Sequence, residues 1–199
     1  MESILDLLKL NMEVDDAAFD RIFPPKIQKL TFEHWTPLEV AKKAADYLVT
    51  GDNCKVLDVG SGAGKFCTIG SLTGDGQFYG VEQRLSLVKI SRSISENYYI
   101  DRVNFIHANI CSIDFLEYDS FYFYNPFQEN LSKHRRIDTK LKCNPELYFK
   151  YVNYVREELL KTASGTRVVT YWCNLDFIPN SFKVDQKFFG DKLVCWQKD

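Results

Sequence analysis

Residues 56–66, Val-Leu-Asp-Val-Gly-Ser-Gly-Ala-Gly-Lys-Phe, constrain this chain more than any other stretch. Val56, Leu57 and Val59 form a short apolar run of the kind buried on both faces of a parallel sheet. Gly60, Gly62 and Gly64 then allow a sharp turn and close approach of backbone to a ligand. A helix beginning near Gly64 would aim its free N–H groups at that ligand. Strand, glycine turn and helix together predict a nucleotide-binding loop in an α/β domain. A dinucleotide fingerprint, G-x-G-x-x-G, needs glycine at position 65, where the chain has Lys65. A phosphate-binding G-x-x-x-x-G-K-[ST] loop is excluded as well, because Phe66 stands where Ser or Thr would hold magnesium.

The 199 residues suffice for one well-filled domain with a small extension. A formal charge of −2 gives no global reason to expect nucleic-acid binding. Six cysteines lack a C-x-x-C pair or a histidine at ligand spacing, so no metal site is expected and they read as reduced thiols. No signal-peptide order and no membrane-length apolar run appear, so a cytoplasmic location is expected.

The first twenty residues carry one lysine against six acids, among them Glu2, Asp16 and Asp20. Leucines at near-helical spacing over 2–10 make this an N-terminal helical cap, residues 1–34, whose acids form a solvated outer face or an acidic docking surface. Pro24-Pro25 marks the seam with the main domain, residues 35–199. Thr36-Pro37-Leu38-Glu39 predicts a helix to about Val49, with Thr36 as its cap in a capping box. The second strand, residues 76–82, ends on Glu82 followed by Gln83, at the offset from Gly60 where a Rossmann unit places a carboxylate on the ribose hydroxyls. The third strand covers 103–107 and precedes Asn109. An aromatic fourth strand, 120–124, runs into Asn125-Pro126-Phe127 at the expected carboxyl edge of the sheet. Residues 128–144 read as an insertion with Lys133, Arg135, Arg136, Lys140 and Lys142 against Glu129 and Asp138. This basic loop is solvated or faces an anionic acceptor. Pro145 opens a further helix, 166–171 forms a fifth strand, and 182–196 alternates around Gly190-Asp191 as a terminal hairpin.

The pattern D-x-G-x-G-x-G from Asp58 to Gly64 resembles motif I of the class I S-adenosylmethionine (SAM) dependent methyltransferases, and the resemblance covers roughly residues 35 to 199. It implies a Rossmann-like three-layer sandwich with a mostly parallel seven-stranded sheet and a C-terminal antiparallel hairpin. It implies SAM as cofactor, held by Asp58, Gly60, Ser61, Gly62, Gly64, Glu82, Gln83, Asn109 and Asn125, with His34, Trp35 and Thr36 lining the pocket. Asn109 would meet the adenine amino group through its carbonyl oxygen. Asn125-Pro126-Phe127 is similar to the [DN]-P-P-[YF] motif of methyltransferases acting on planar amino groups, without the second proline. By that similarity Asn125 and the Pro126 carbonyl accept the amine's hydrogens, and the rings of Phe127 and Tyr124 wall the acceptor slot. The methyl acceptor is open: a small molecule or a protein, an amino group among the candidates, with nucleic acid not favoured by charge. The T-P helix with a G-V-E second strand also resembles the seven-strand lysine methyltransferases. A non-catalytic SAM-binding scaffold is the alternative of another class, and a nicotinamide oxidoreductase is disfavoured by Lys65 and the hairpin.

Overall fold

A computed structural model describes residues 4–10 and 12–199; the start of the expected first helix, with Glu2, lies outside the described residues. Seven strands form one sheet: β1 (Lys55–Val59), β2 (Gln77–Glu82), β3 (Val103–His107), β4 (Ser120–Tyr124), β5 (Arg167–Tyr171), β6 (Phe182–Phe188) and β7 (Leu193–Lys198). Their order is β3-β2-β1-β4-β5-β7-β6. The first five are parallel, and β7 runs antiparallel between β5 and β6. The expected fold class is therefore the observed one, and the order reverses between β1 and β4, where open α/β sheets bind ligands.

One face of the sheet is covered by α5 (Leu38–Leu48), α6 (Lys65–Thr73) and α7 (Leu85–Asn97). Short helices α1 (Ile4–Lys9), α2 (Asp16–Phe19), α3 (Pro25–Gln28) and α4 (Thr31–His34) precede them. Leu5, Leu8, Phe19, Phe23 and Ile27 share one hydrophobic cluster with Trp35, Leu38, Phe66 and Tyr122, so the N-terminal segment is packed into this face. Pro24 and Pro25 do not merely interrupt a helix: Pro25 occupies the first turn of α3, where its missing N–H costs nothing. The other face is thinner. There α8 (Pro145–Lys161) packs with two short 3₁₀ turns, Ile110–Ser112 and Phe115–Glu117, and with residues 173–181. At the β3–β4 connection there is no long helix among the described residues; Asn109 and Asp114 each cap a single turn through their carboxamide or carboxylate oxygen.

The helix before β1 corrects a second expectation. Thr36 does not cap α5; its hydroxyl is buried and lies 2.9 Å from the Tyr122 hydroxyl. The free N–H of Leu38 instead donates to Asp16 Oδ1 at 2.9 Å. A carboxylate from the N-terminal segment thereby supplies the cap, which satisfies an orphan donor and complements the helix dipole.

Candidate functional site

The parallel register brings the chemistry-bearing residues to the carboxyl edge of the sheet. Val59 pairs with Val81 and Phe123, so the glycine turn, Glu82 and the Asn125 turn leave the sheet side by side. Gly60, Gly62 and Gly64 all adopt positive φ, 78°, 56° and 85°. At all three close contact also demands glycine: a Cβ on Gly60 would come 2.9 Å from Pro126 Cβ, one on Gly62 would strike the Trp35 ring at 2.0 Å, and one on Gly64 the Phe105 ring at 2.5 Å. Gly64 stands at the start of α6, as the motif predicts.

Glu82 is buried and both its oxygens are engaged: Oε1 accepts the Arg84 N–H at 2.7 Å and Oε2 the Gly62 N–H at 3.2 Å. Burial pushes its pKa up, against the opposing pull of those two donors and of the Arg84 guanidinium. Asp58 is buried with fewer polar partners: among the described residues only the Cys67 thiol donates to it, to Oδ2 at 3.6 Å. Burial therefore pushes its carboxyl up to about 8, with the Glu82 charge adding to the rise and the thiol opposing it.

Two cavities flank Gly60. One, of about 20 Å³, is lined by His34, Trp35, Thr36, Asp58, Ser61 and Tyr122, among others. The second, of about 40 Å³, is lined by Glu82, Gln83, Asn109, Phe127 and Tyr151, among others. The structure thus brings all the expected cofactor residues except Gly62, Gly64 and Asn125 directly onto these two spaces, with the two glycines in the turn that joins them. Ser61 Oγ is buried here without a hydrogen-bond partner among the described residues, which suits a polar ligand group. Asn109 is differently engaged from expectation: its carbonyl oxygen accepts the Cys111 N–H at 3.0 Å and its amide donates to the Tyr151 hydroxyl at 2.9 Å.

Each small cavity is bordered by a buried cation whose ion pairs sequence reasoning missed. Lys65 is 1% exposed, with Nζ 2.5 Å from Asp16 and 2.8 Å from Asp20. Asp20 is accordingly buried rather than on a solvated face, while the half-exposed Asp16 points one oxygen inward to Lys65. Arg84, also buried, pairs with Glu129 and, at 3.3 Å, with Asp138, drawing the 128–144 insertion over the exit of β2. The only sequence signal for either pairing was a lone cation beside the motif.

On the far side of Asn125 lies an open cavity of about 480 Å³, bordered by the exits of β4 and β5 and the β6–β7 turn. Asn125 has φ 43°, and its N–H donates to the Cys173 sulfur at 2.9 Å, while the Cys173 thiol donates to the Phe123 carbonyl at 3.2 Å. Burial pushes that thiol up to about 12, so it acts as a neutral hydrogen-bonding strut. The Asn125 carboxamide has no hydrogen-bond partner among the described residues. Phe127 corrects an expectation: it is 7% exposed, its ring lies 5.5 Å from Tyr151, and it faces the 40 Å³ cavity rather than the open one. Tyr124 likewise packs against Tyr171 and does not border the open cavity. A larger cavity of about 690 Å³ lies apart from the motif, near the ends of α1, α5 and α6.

A family described as a methyltransferase domain matches residues 50–186. No curated protein matches the sequence. Among solved structures, an RNA methyltransferase from Salinibacter ruber in complex with S-adenosyl-L-homocysteine superposes with TM-score 0.58 at 18% identity, over 82% of this chain and 91% of that one. TrmN from Thermus thermophilus gives 0.64 at 14% identity, over 91% and 53%. The [4+2]-cyclase SpnF gives 0.52 at 17%, over 67% of this chain and 43% of its own length. The chain therefore spans about half the length of two of these three relatives, and the likeness is one of fold.

Proposed function

The chain belongs to the class I SAM-dependent methyltransferase family, and from that premise we propose that it transfers a methyl group from SAM to an acceptor amino group held at Asn125. The observation that carries this reading is the position of Asn125. It stands between the glycine turn, against which Pro126 packs, and a cavity large enough for a small ligand, with its carboxamide unpartnered.

The residues around Gly60 suit the cofactor chemically. Glu82 offers a buried carboxylate for the ribose hydroxyls, Ser61 an unsatisfied hydroxyl, and Asp58 a carboxyl for a cationic ligand. Cavities of about 20 and 40 Å³ are too small for a nucleoside. Admission of SAM accordingly requires the segments clipped by Lys65 and Arg84 to shift. When bound, SAM supplies an activated methyl: the new N–C bond forms as the S–C bond breaks, and the electron pair stays on sulfur. Asn125 Oδ1 would accept an N–H of the amine, aim its lone pair and stabilise positive charge growing on nitrogen. The proton displaced from nitrogen passes to water in the open cavity. No general base is needed for such a displacement, and alignment supplies much of the acceleration.

The test is a calorimetric titration with SAM followed by transfer of labelled methyl to an amine panel. Binding followed by transfer is expected. Tight SAM binding without transfer to any acceptor, in cell extract as well, would favour the non-catalytic reading, which the closed cavities also suit. Absence of SAM binding would sink the cofactor assignment.

A further inference from the structure

The fourth and fifth strands end together. Tyr124 pairs with Tyr171 in register, so Asn125 and Trp172 leave the sheet as neighbours, and both adopt positive φ, 43° and 48°. Asparagine tolerates that region; a bulky aromatic residue rarely occupies it, and such strain gathers at functional sites. The Trp172 N–H is anchored on the Lys192 carbonyl at 3.0 Å. The outcome is an indole 56% exposed on the wall of the 480 Å³ cavity. The same cavity is lined by Asn125, Gln128 and Ser132, whose carboxamides and hydroxyl have no side-chain partner among the described residues. Asn174 donates its amide hydrogens to Tyr148 and Asp176, which leaves its carbonyl oxygen available.

We propose that this cavity binds a planar nitrogen heterocycle bearing an exocyclic amine, of the nucleobase class, with Trp172 as the stacking platform and Gln128 reading the heterocycle's edge. This rests on the proposed methyl transfer at Asn125 and names its acceptor. Stacking on an exposed aromatic ring and amide pairing to a base edge are how single bases are held. A carboxamide presents an acceptor beside its donors, matching an amino-heterocycle edge. An alkylammonium acceptor fits poorly. Lys192 Nζ lies 4.9 Å from the indole centroid, so one face of the ring already carries a cation that would repel a second ammonium, and the heterocycle stacks on the other face. Asp191, the cavity's carboxylate, is paired with Lys187 at 3.0 Å. The platform expected of Phe127 is thus supplied by a residue from the adjacent strand.

Calorimetric titration of the full chain with adenosine, cytidine, a short single-stranded RNA and a lysine peptide tests the assignment, with SAM titrated separately. One of the nucleosides is expected to bind. Trp172→Ala is expected to weaken that binding by about 5- to 150-fold, the range for loss of a stacked base, and Trp172→Phe to keep most of it. SAM affinity in both variants serves as the folding control. If Trp172→Ala does not fold, Gln128→Leu, which removes only the edge contact, is expected to weaken the same binding. Failure of both nucleosides and the RNA to bind, nucleoside affinity indifferent to Trp172, or preference for the lysine peptide overturns the proposal. The methyl-transfer reading then survives provided SAM still binds. The RNA arm identifies the source: equal binding per base means a free nucleoside, and binding only within the strand means a nucleic acid.

Discussion

At the exits of β1 and β2, Asp58 and Glu82 are buried, ion-paired cations border the space beside them, and the cavities measure about 20 and 40 Å³. At the exits of β4 and β5 the groups are amides, an indole and the engaged charges of Asp191 and Lys192 around an open cavity of about 480 Å³. The contrast separates two kinds of recognition. On the closed side a ligand must replace hydrogen bonds and ion pairs already made, so single charges decide whether it binds. On the open side nothing must be displaced, and shape with a few polar groups does the selecting.

The largest expected effect tests whether Asn125 belongs to the open side. An interaction that grows in the transition state is lost in Asn125→Ala, so turnover should fall by about 10²–10³-fold with SAM affinity almost unchanged. A parallel drop in both, with a lower melting temperature, would instead make Asn125 a turn-forming residue supporting the closed side. Next comes Glu82. Removing a charge-assisted partner typically costs ~1.5–3 kcal/mol, so Glu82→Ala should weaken SAM binding by roughly 10- to 150-fold. Unchanged calorimetric affinity would remove the ribose contact from the closed side.

What could be read beforehand follows the same divide. The strands, the glycine turn and the strand-end acid Glu82 were legible because each rests on local spacing: an apolar run, glycines where φ must be positive, an acid one strand further on; the sheet's topology came from the family resemblance. Lys65 with Asp16 and Asp20, and Arg84 with Glu129 and Asp138, were not, because partners 45 to 54 residues apart leave no local periodicity. Thr36 looked like a cap for the same reason: its capping box was locally complete, while the competing Asp16 came from another helix. Trp172 was silent because its strain and exposure exist only once β4 and β5 are paired.

A third, smaller effect comes from Asp58. With its carboxyl raised to about 8 it is mostly protonated in the free protein at neutral pH. Its raised value means the folded chain holds this proton from about pH 4, the unfolded value, to about 8. Its contribution to stability is therefore fully present below pH 4 and is lost as pH rises through 8. A cationic ligand favours the carboxylate, so binding SAM releases the proton and affinity should rise with pH, by up to about tenfold per unit, levelling above 8. Calorimetry from pH 6 to 9 reads this slope. In Asp58→Asn it should vanish, and a slope that persists would assign the titration elsewhere.

The smallest expected effect concerns the basic insertion, and it asks whether the open side uses charge at all. Arg84 holds Glu129 and Asp138, while Arg136 donates to the Glu129 and Cys143 carbonyls. These contacts spend part of the loop's charge on holding it over β2. Lys133, Lys140 and Lys142 remain exposed, and none of them borders the 480 Å³ cavity. Exposed charges interact weakly through water and are screened beyond about 8 Å at physiological salt. Replacing these three lysines with glutamine should therefore change KM for a nucleoside-sized acceptor by less than about twofold. The salt dependence of KM should be flat as well. A strand acceptor crossing the loop would behave otherwise, since each single-strand phosphate neutralised contributes a slope of about −0.7 in log affinity against log salt. A steep slope that the triple substitution flattens would extend the open side across the insertion and make it a charged surface, which is the opposite of what its amides and indole suggest.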